Sequence, residues 1–478
     1  TMAEYRTERD TMGEMQVPAD ALYGASTARA VDNFPIALRP VPAAVVHAFG
    51  HLKAACAQAN LDLEKLEPEL AKAILDAANQ VAEGAHDQHF PVDVYQTGSG
   101  TSTNMNANEV IANLANRKFD DRKIHPNDHV NMGQSSNDTF PTAMHIASAL
   151  AVKNHLIPAL NRLLNELEAK SKVWNTIVKV GRTHLMDATP IRVGQVFAGY
   201  AQQARHAVES AEAVLRHLAE GMPIGGTAVG TGINTHPEFG SRVCGILAEA
   251  TGIEFQEAAN HCEAQAAKDT FVHSHGHLKA IAVSLSKIAN DIRHLGSGPR
   301  TGIYELLLPA TQPGSSIMPG KVNPVICESV IQVACRVIGN DATVTTAGMG
   351  GVGSIFELNV AMPVMIDAFL ESTQLLANAS NVLVDKLLQG LQVNEERCQA
   401  LLDQSLMTVT RLAPEIGYET CAKLAKQALA ENRTIRELVL QQRLIPVDKL
   451  SELRDLASMT RPGYVDLGHP LPLKRVGP

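Results

Sequence analysis

The sequence predicts a mainly α-helical protein built round a central bundle of long helices, and three observations carry that expectation. The 478 residues are 45% hydrophobic but only 4% aromatic. With alanine and leucine abundant, that balance suits packed helices better than a β-sandwich or barrel. Apolar residues recur at three-to-four-residue steps through stretches as long as 143–172 and 258–296, the stripe of an amphipathic helix. Several such stretches are closed by glycine, as helix ends commonly are.

Taken in order, residues 1–137 read as a mixed, mostly helical region. Helical stretches at 41–60 and 65–84 precede a Gly/Ser/Asn-rich segment at 96–108. Residues 138–390 read as the long-helix bundle. In its first helix Ile146, Leu150, Ile157, Leu160, Leu164 and Leu167 share one face, and the periodicity continues past Pro158, so that proline should kink the helix rather than end it. Further helices are expected at about 190–219, 258–296, 324–346 and 360–389. Patterns this long exceed an ordinary globular helix and suggest a bundle shared between subunits. Residues 391–478, broken at Pro414, Pro446 and Pro462, read as a small C-terminal helical domain. At the usual domain size this length gives about three domains and ample chain for a large core.

Formal charge is −9, from 41 basic and 50 acidic residues, with no long run of one sign. That argues against a nucleic-acid or anionic-membrane partner. An acidic protein that binds an anion must gather positive potential locally. Seven scattered cysteines without a C-x-x-C pair fit reduced thiols in a cytosolic-type compartment. The charged start (Glu4, Arg6, Glu8, Arg9, Asp10, Glu14) is neither a signal peptide nor a transit peptide, and no apolar run approaches membrane-spanning length. The expected location is the cytoplasm, or the mitochondrial matrix if a presequence has been removed.

The chemistry concentrates in a few loops. Gly314-Ser315-Ser316-Ile317-Met318-Pro319-Gly320-Lys321-Val322-Asn323-Pro324 combines a flexible turn, two hydroxyls, an ammonium and an amide. Asn323-Pro324 reads as an N-cap and first helical position. The helix that follows would aim unpaired N–H groups and its positive end at Ser315 and Lys321, a place to hold a carboxylate and stabilise developing negative charge. Gly181-Arg182-Thr183-His184 places a histidine, the side chain best suited to proton transfer near neutrality, just before another helix. Glu328 reads as a first-turn glutamate favoured by the helix dipole. Thr97-Gly98-Ser99-Gly100-Thr101 and Gln134-Ser135-Ser136-Asn137-Asp138 offer short donors suited to carboxylate oxygens. A polar loop at a helix start accounts for the first equally well, and Asp138 or Thr139 as a cap accounts for the second. His125-Pro126-Asn127-Asp128 reads as a turn.

Three features are set aside. Gly348-Met349-Gly350-Gly351-Val352-Gly353 has a dinucleotide-type spacing but follows a helical pattern rather than a strand, and reads as a loop between helices. His273, His275 and His277 look metal-like, but the two-residue step throws His275 to another face, and no supporting ligand is evident, so no metal is expected. Trp174 carries no identifiable function.

The 314–324 stretch closely resembles the signature loop of the fumarase/aspartase superfamily, in the form carried by class II fumarases. The resemblance runs from Met12-Gly13 and Ala21-Leu22-Tyr23-Gly24 to about Arg461-Pro462. His184 after Gly-Arg-Thr, Gly320 before Lys321 and the paired Ser135-Ser136 look like fumarase rather than aspartase. Thr101-Ser102-Thr103-Asn104 and Val325-Ile326 resemble aspartases as much, so aspartate ammonia-lyase is the alternative. Residues 464–478 match nothing assignable.

The resemblance implies a three-domain fold whose central bundles join in a homotetramer with a twenty-helix core, each active site collecting loops from three subunits. It implies cofactor-independent hydro-lyase activity in the tricarboxylic acid cycle. The reaction would be reversible hydration of fumarate to S-malate, by anti addition or elimination of water through an aci-carboxylate, with the dicarboxylate as the small-molecule partner. By the same resemblance Ser315 is the base, and His184, assisted by Glu328, protonates the departing hydroxyl through a water. Lys321 and Asn323 bind the carboxylate that accumulates charge. Ser99, Gly100, Thr101, Ser135, Ser136, Asn137, Thr183 and Ser316 complete the substrate contacts, and His125, Pro126, Asn127 and Asp128 form a second, non-catalytic carboxylate site.

Overall fold

The computed structural model describes residues 4–121, 123–446 and 456–462; the unassigned stretch 464–478 lies outside them. In chain order, hairpin β1 (Tyr5–Asp10) and β2 (Gly13–Pro18) leads into helices α1 (Ala25–Asn33), α2 (Ala43–Asp62), α3 (Pro68–Ala82), α4 (Thr101–Asn116), α5 (Ser136–Ala151) and α6 (Ile157–Val173). A second hairpin, β3 (Val178–Thr183) and β4 (Met186–Arg192), precedes α7 (Val193–Ala219), α8 (Phe239–Thr251), α9 (His261–Ala266), α10 (Asp269–Leu295), α11 (Val325–Gly348) and α12 (Met362–Val382). The short helices α13 (Glu395–Gln404), α14 (Ala413–Ile416), α15 (Tyr418–Glu431) and α16 (Ile435–Gln442) follow. The mainly α expectation holds.

The chain forms two compact units. One comprises 1–160, 206–285 and 332–380, the other 161–205, 286–331 and 381–478. In the first, β1 and β2 pair antiparallel from Tyr5↔Pro18 to Asp10↔Gly13. The N-terminus of α1 is held by Glu109 of α4, whose carboxylate accepts the N–H groups of Gly24, Ser26 and Thr27 at 2.9, 2.9 and 3.2 Å. These are the donors a helix start leaves unpaired, and a negative group there also suits the dipole. Helix α2 is buried on nearly all sides, from Val45 to Asn60. It meets α3 so closely that a Cβ at Gly50 would lie 2.2 Å from the Ala82 nitrogen, which is why glycine stands there.

The departures from the expected helix boundaries have local causes. The predicted 143–172 helix is α5 and α6 joined by a π-turn at Val152–Leu156. That turn lets the chain continue past Pro158, which lacks the N–H for the regular ladder. The predicted 258–296 helix is broken between α9 and α10, where Ala267 is extended. Helix α4 begins inside the segment expected to be Gly/Ser/Asn-rich loop. The buried face of its first half carries Ser102, Thr103, Asn104, Asn106 and Asn108, so apolar periodicity marks only its second half, from Val110 to Leu114. Gly348 ends α11, and Gly350, Gly351 and Gly353 lie between it and a two-residue hairpin, Ser354–Ile355 with Leu358–Asn359, so a helix rather than a strand leads into them.

In the second unit α7 starts at Val193 rather than near 190, because 186–192 pairs with 178–183. Val409, Leu412, Cys421, Leu424, Ala428, Leu438 and Val439 pack into a core of their own.

Candidate active site

In the first unit, the start of α4 and the start of α5 meet through side-chain hydroxyls. Ser99 Oγ lies 2.8 Å from Thr101 Oγ1, which lies 2.8 Å from Ser136 Oγ. Gly100 makes this possible. Its φ is +73°, a conformation that disfavours other residues, and a Cβ there would lie 2.0 Å from the Phe140 ring. Ser135 caps α5, its Oγ accepting Asn137 N–H at 3.2 Å, while Asp138 Oδ1 accepts Ser135 N–H at 2.9 Å, a capping box.

Asp138 does more than cap. Its other oxygen accepts the N–H groups of Gly225 and Thr227 at 3.2 and 2.8 Å, and Asn137 Nδ2 donates to Ala228 O at 2.8 Å. The glycine-rich 225–234 loop is thereby fixed against α5. Burial pushes the Asp138 carboxyl up to about 7, against the pull of its three N–H donors.

Together these segments line a cleft of about 410 Å³ that includes Thr101, Ser135, Ser136, Asn127, Thr227 and Asn234. None of its lining residues carries a charge. In its lining Asn131 Oδ1 accepts from Asn104 and Asn108 at 3.2 Å, and from Lys53 Nζ beneath the cleft at 3.0 Å. Lys53 also donates to Gln134 Oε1 at 2.9 Å. It is fully buried in α2, and desolvation lowers its amine to about 8. The Thr227 hydroxyl and the Asn108 carbonyl oxygen are buried without a hydrogen-bond partner.

Sequence reasoning missed Lys53, Asn108, Asn131 and Thr227. The available signals were a lysine in an alanine-rich helix and the Gly225-Gly226-Thr227 to Gly232 run between helices. Of the second carboxylate set, Asn127 lines the cleft. His125 Nδ1 accepts the N–H groups of Asn127 and Asp128 at 3.3 Å at the start of an exposed π-turn, Pro126–Val130.

In the second unit, His184 and Leu185 form the two-residue turn of the β3–β4 hairpin, with φ of +59° and +63°. Positive φ at both positions is the turn geometry that matches strand twist. His184 and Thr183 are exposed at this tip. The hairpin is anchored through Arg182, which forks onto Glu305 at 3.0 and 3.1 Å, and through Lys179 at 3.0 Å from the same carboxylate. Glu305 is 1% exposed, so two cations meet one buried anion.

The 314–323 loop closes on itself. Gly314 N–H donates to Lys321 O at 2.8 Å, Asn323 Nδ2 donates to Gly314 O at 2.7 Å, and Lys321 Nζ donates to Asn323 Oδ1 at 2.5 Å. Asn323 therefore ties the loop together with its side chain instead of capping α11 as the sequence suggested. Ser315 Oγ accepts the N–H groups of Ile317 and Met318 at 3.2 and 3.0 Å, donors that would also favour an oxyanion. Ser316 and Lys321 are exposed, and Glu328 sits half-buried in the first turn of α11. Its neighbour Cys327 is no rival nucleophile, since burial pushes its thiol up to about 12.

Residues 13–339 match the protein family described as Lyase, and residues 409–461 match the one described as Fumarase C C-terminus. A class II fumarate hydratase of Corynebacterium efficiens is 54% identical over 95% of this chain and 94% of its own. That of Mycobacterium tuberculosis is 52% identical over 97% of this chain and 98% of its own. Among solved structures, the class II fumarase of Schistosoma mansoni superposes with a TM-score of 0.92 at 37% identity, covering 95% of this chain and 99% of that one.

Proposed function

The chain belongs to the lyase family of the class II fumarate hydratases, and on that premise we propose how its residues hydrate fumarate to S-malate and reverse the reaction. It is a hydro-lyase. The obstacle in the elimination direction is loss of a weakly acidic proton beside a carboxylate, which leaves a dianionic aci-carboxylate. Ser315 takes that proton, its Oγ already facing two backbone N–H donors. Lys321 and Asn323 hold the carboxylate on which charge accumulates. His184, assisted by Glu328, delivers a proton to the departing hydroxyl through a water. Thr183 and Ser316 complete this half of the site.

The observation that carries the reading is the cleft between α4, α5 and the 225–234 loop. Its hydroxyls are supplied by Thr101, Ser135, Ser136 and Thr227 and its amides by residues such as Asn104, Asn131 and Gln134, no acid lines it, and the Lys53 ammonium lies beneath it. An uncharged, donor-rich surface backed by a cation suits a carboxylate and repels little. Ser99, Gly100 and Asn137 support it from behind, and the His125–Asp128 turn forms a second carboxylate site at its rim.

The same reading makes the protein a homotetramer in which three subunits contribute loops to each site. Leu185 and Ile317, beside His184 and Ser315, are 83% and 84% exposed in the single chain. Apolar side chains at such positions suit burial against another copy. The three-part division at about 137 and 390 and a cytoplasmic location belong to it as well. Light scattering should return four times the 51.2 kDa chain mass.

Ultraviolet absorbance with S-malate, run beside an identical sample with L-aspartate, tests the chemistry. Fumarate formed from malate alone is expected. Fumarate from aspartate alone would assign the chain to the ammonia-lyases, in line with Val325-Ile326.

A further inference from the structure

The structure supplies the ligand that the 273–277 histidines lack in the sequence. His273 and His277 stand one turn apart on α10, and His217, in the last turn of α7, comes to meet them. One ligand nitrogen from each of the three lies within 4.8 Å of the others. Ring centroids are 4.5 Å apart for His217 and His273, 5.1 Å for His273 and His277, and 6.0 Å for His217 and His277. His275 takes no part: it is buried and bonded to Ser372 Oγ and Asp341 Oδ1 at 2.9 and 3.0 Å.

We infer that His217, His273 and His277 form a binding site for a divalent transition-metal ion of the zinc, cobalt or nickel type, outside the catalytic machinery. Three imidazoles are the ligand set those borderline ions favour, and a three-histidine site leaves a further position for water. Metal–nitrogen bonds of about 2.0 Å in tetrahedral geometry set the nitrogens about 3.3 Å apart. The rings must therefore close in by side-chain rotation, which the exposed His273 and half-buried His277 allow. The Nδ1 of His217 is buried with no hydrogen-bond partner, and an orphaned ring nitrogen in a cluster of like groups calls for a ligand.

The electrostatics agree with this geometry. Burial first, and His273 second, hold the His217 and His277 imidazoles below their ordinary value. The neutral, ligating form is thereby favoured, because a ring must lose its proton to bind metal. Glu220 opposes this shift at His217, and Arg216 adds to it. A bound ion would pin the last turn of α7 to the second turn of α10, so its effect is on stability rather than on the reaction.

The test is titration of the chelator-stripped, full-length oligomer with Co²⁺ alone, followed by its visible spectrum and by calorimetry. The expected result is saturable binding of about one ion per chain, with intense low-coordination bands, and a thermal midpoint that rises with Co²⁺. His273→Ala and His277→Ala should each weaken binding at least tenfold and abolish the midpoint shift. His155→Ala, an exposed histidine elsewhere, should leave both unchanged. A spectrum that stays that of the hydrated ion, or equal binding by wild type and the α10 variants, would overturn the site. Because the readouts are binding and stability, failure here leaves the catalytic reading untouched.

Discussion

Thr101 Oγ1 and Ser136 Oγ lie 2.8 Å apart although 35 residues separate them. The contact joins the first residue of α4 to the first residue of α5. Two polar stretches that each read in the sequence as an ordinary helix start become one surface.

Removing a hydroxyl from this surface should act on substrate affinity. In Thr101→Val the hydroxyls of Ser99 and Ser136 lose their shared partner, and the substrate loses a donor. A net loss of about 1 kcal/mol corresponds to a KM for fumarate raised about fivefold. Turnover should change little, because the contact exists in ground and transition states alike. Steady-state kinetics beside a denaturation curve decides it: an unchanged KM would remove Thr101 from the binding surface.

Glu305 should matter to catalysis without touching substrate. It is the buried anion that both Arg182 and Lys179 share, and Arg182 lies two residues from His184 on the same hairpin. Glu305→Gln leaves two cations facing a neutral amide, at a cost of about 3–5 kcal/mol. The expected outcome is a lower thermal midpoint, with kcat reduced about tenfold through loss of His184 positioning. Glu305→Asp should recover part of both. Normal kcat in a destabilised Glu305→Gln enzyme would show that the hairpin holds His184 without this anchor.

Much of this architecture was legible in advance, and the gaps have physical reasons. Long helices announce themselves through apolar periodicity, as Ile146 to Leu167 do. The first half of helix α4 stays hidden because the side chains it buries are mostly serine, threonine and asparagine, bonded to polar partners such as Gln96, Asn131 and the His89 carbonyl. The loops to which the proposed chemistry is assigned were visible because each carries its reactive groups within a few residues, Ser315 to Asn323 above all. Lys53 and Thr227 were not, since each joins the cleft from an element distant in sequence, and only folding brings them to Asn131 and Asp138. The same reason hid the metal cluster: His273 and His277 are neighbours in sequence, but His217 stands on another helix. The Asn323 side chain also departs from expectation, because closing its own loop onto Gly314 competes with capping.

Acid should weaken the fold through His145. This residue is buried in α5, and its Nδ1 donates to Leu218 O at 2.7 Å. Desolvation lowers its imidazole to about 4. The unfolded chain takes up the proton near pH 6.5 and the folded chain only near pH 4, so acidification through that window favours unfolding. The loss at pH 5 is about 2 kcal/mol per chain from this group. Denaturant midpoints at pH 7.5 and pH 5 should therefore diverge less in His145→Asn than in wild type. An identical pH dependence in the variant would assign the acid sensitivity elsewhere.

The proposed chemistry predicts an asymmetry among three single substitutions. Ser315→Ala removes the base, and no group beside it can take its place: on the loop Lys321 is committed to Asn323, and in α11 the Cys327 thiol is held protonated. His184→Asn removes the proton donor from the hairpin tip while an amide fits the same turn. Each should lower kcat by a factor on the order of 10² to 10⁴, with circular dichroism and oligomer mass unchanged. His125→Asn, altering only the exposed turn beside the cleft, should cost less than about threefold, within the range of a lost surface contact. The decisive comparison is kcat for malate dehydration across the three variants at matched oligomer concentration. Near-normal turnover in Ser315→Ala would force the base to another residue, and a large loss in His125→Asn would move the His125–Asp128 turn into the catalytic site itself.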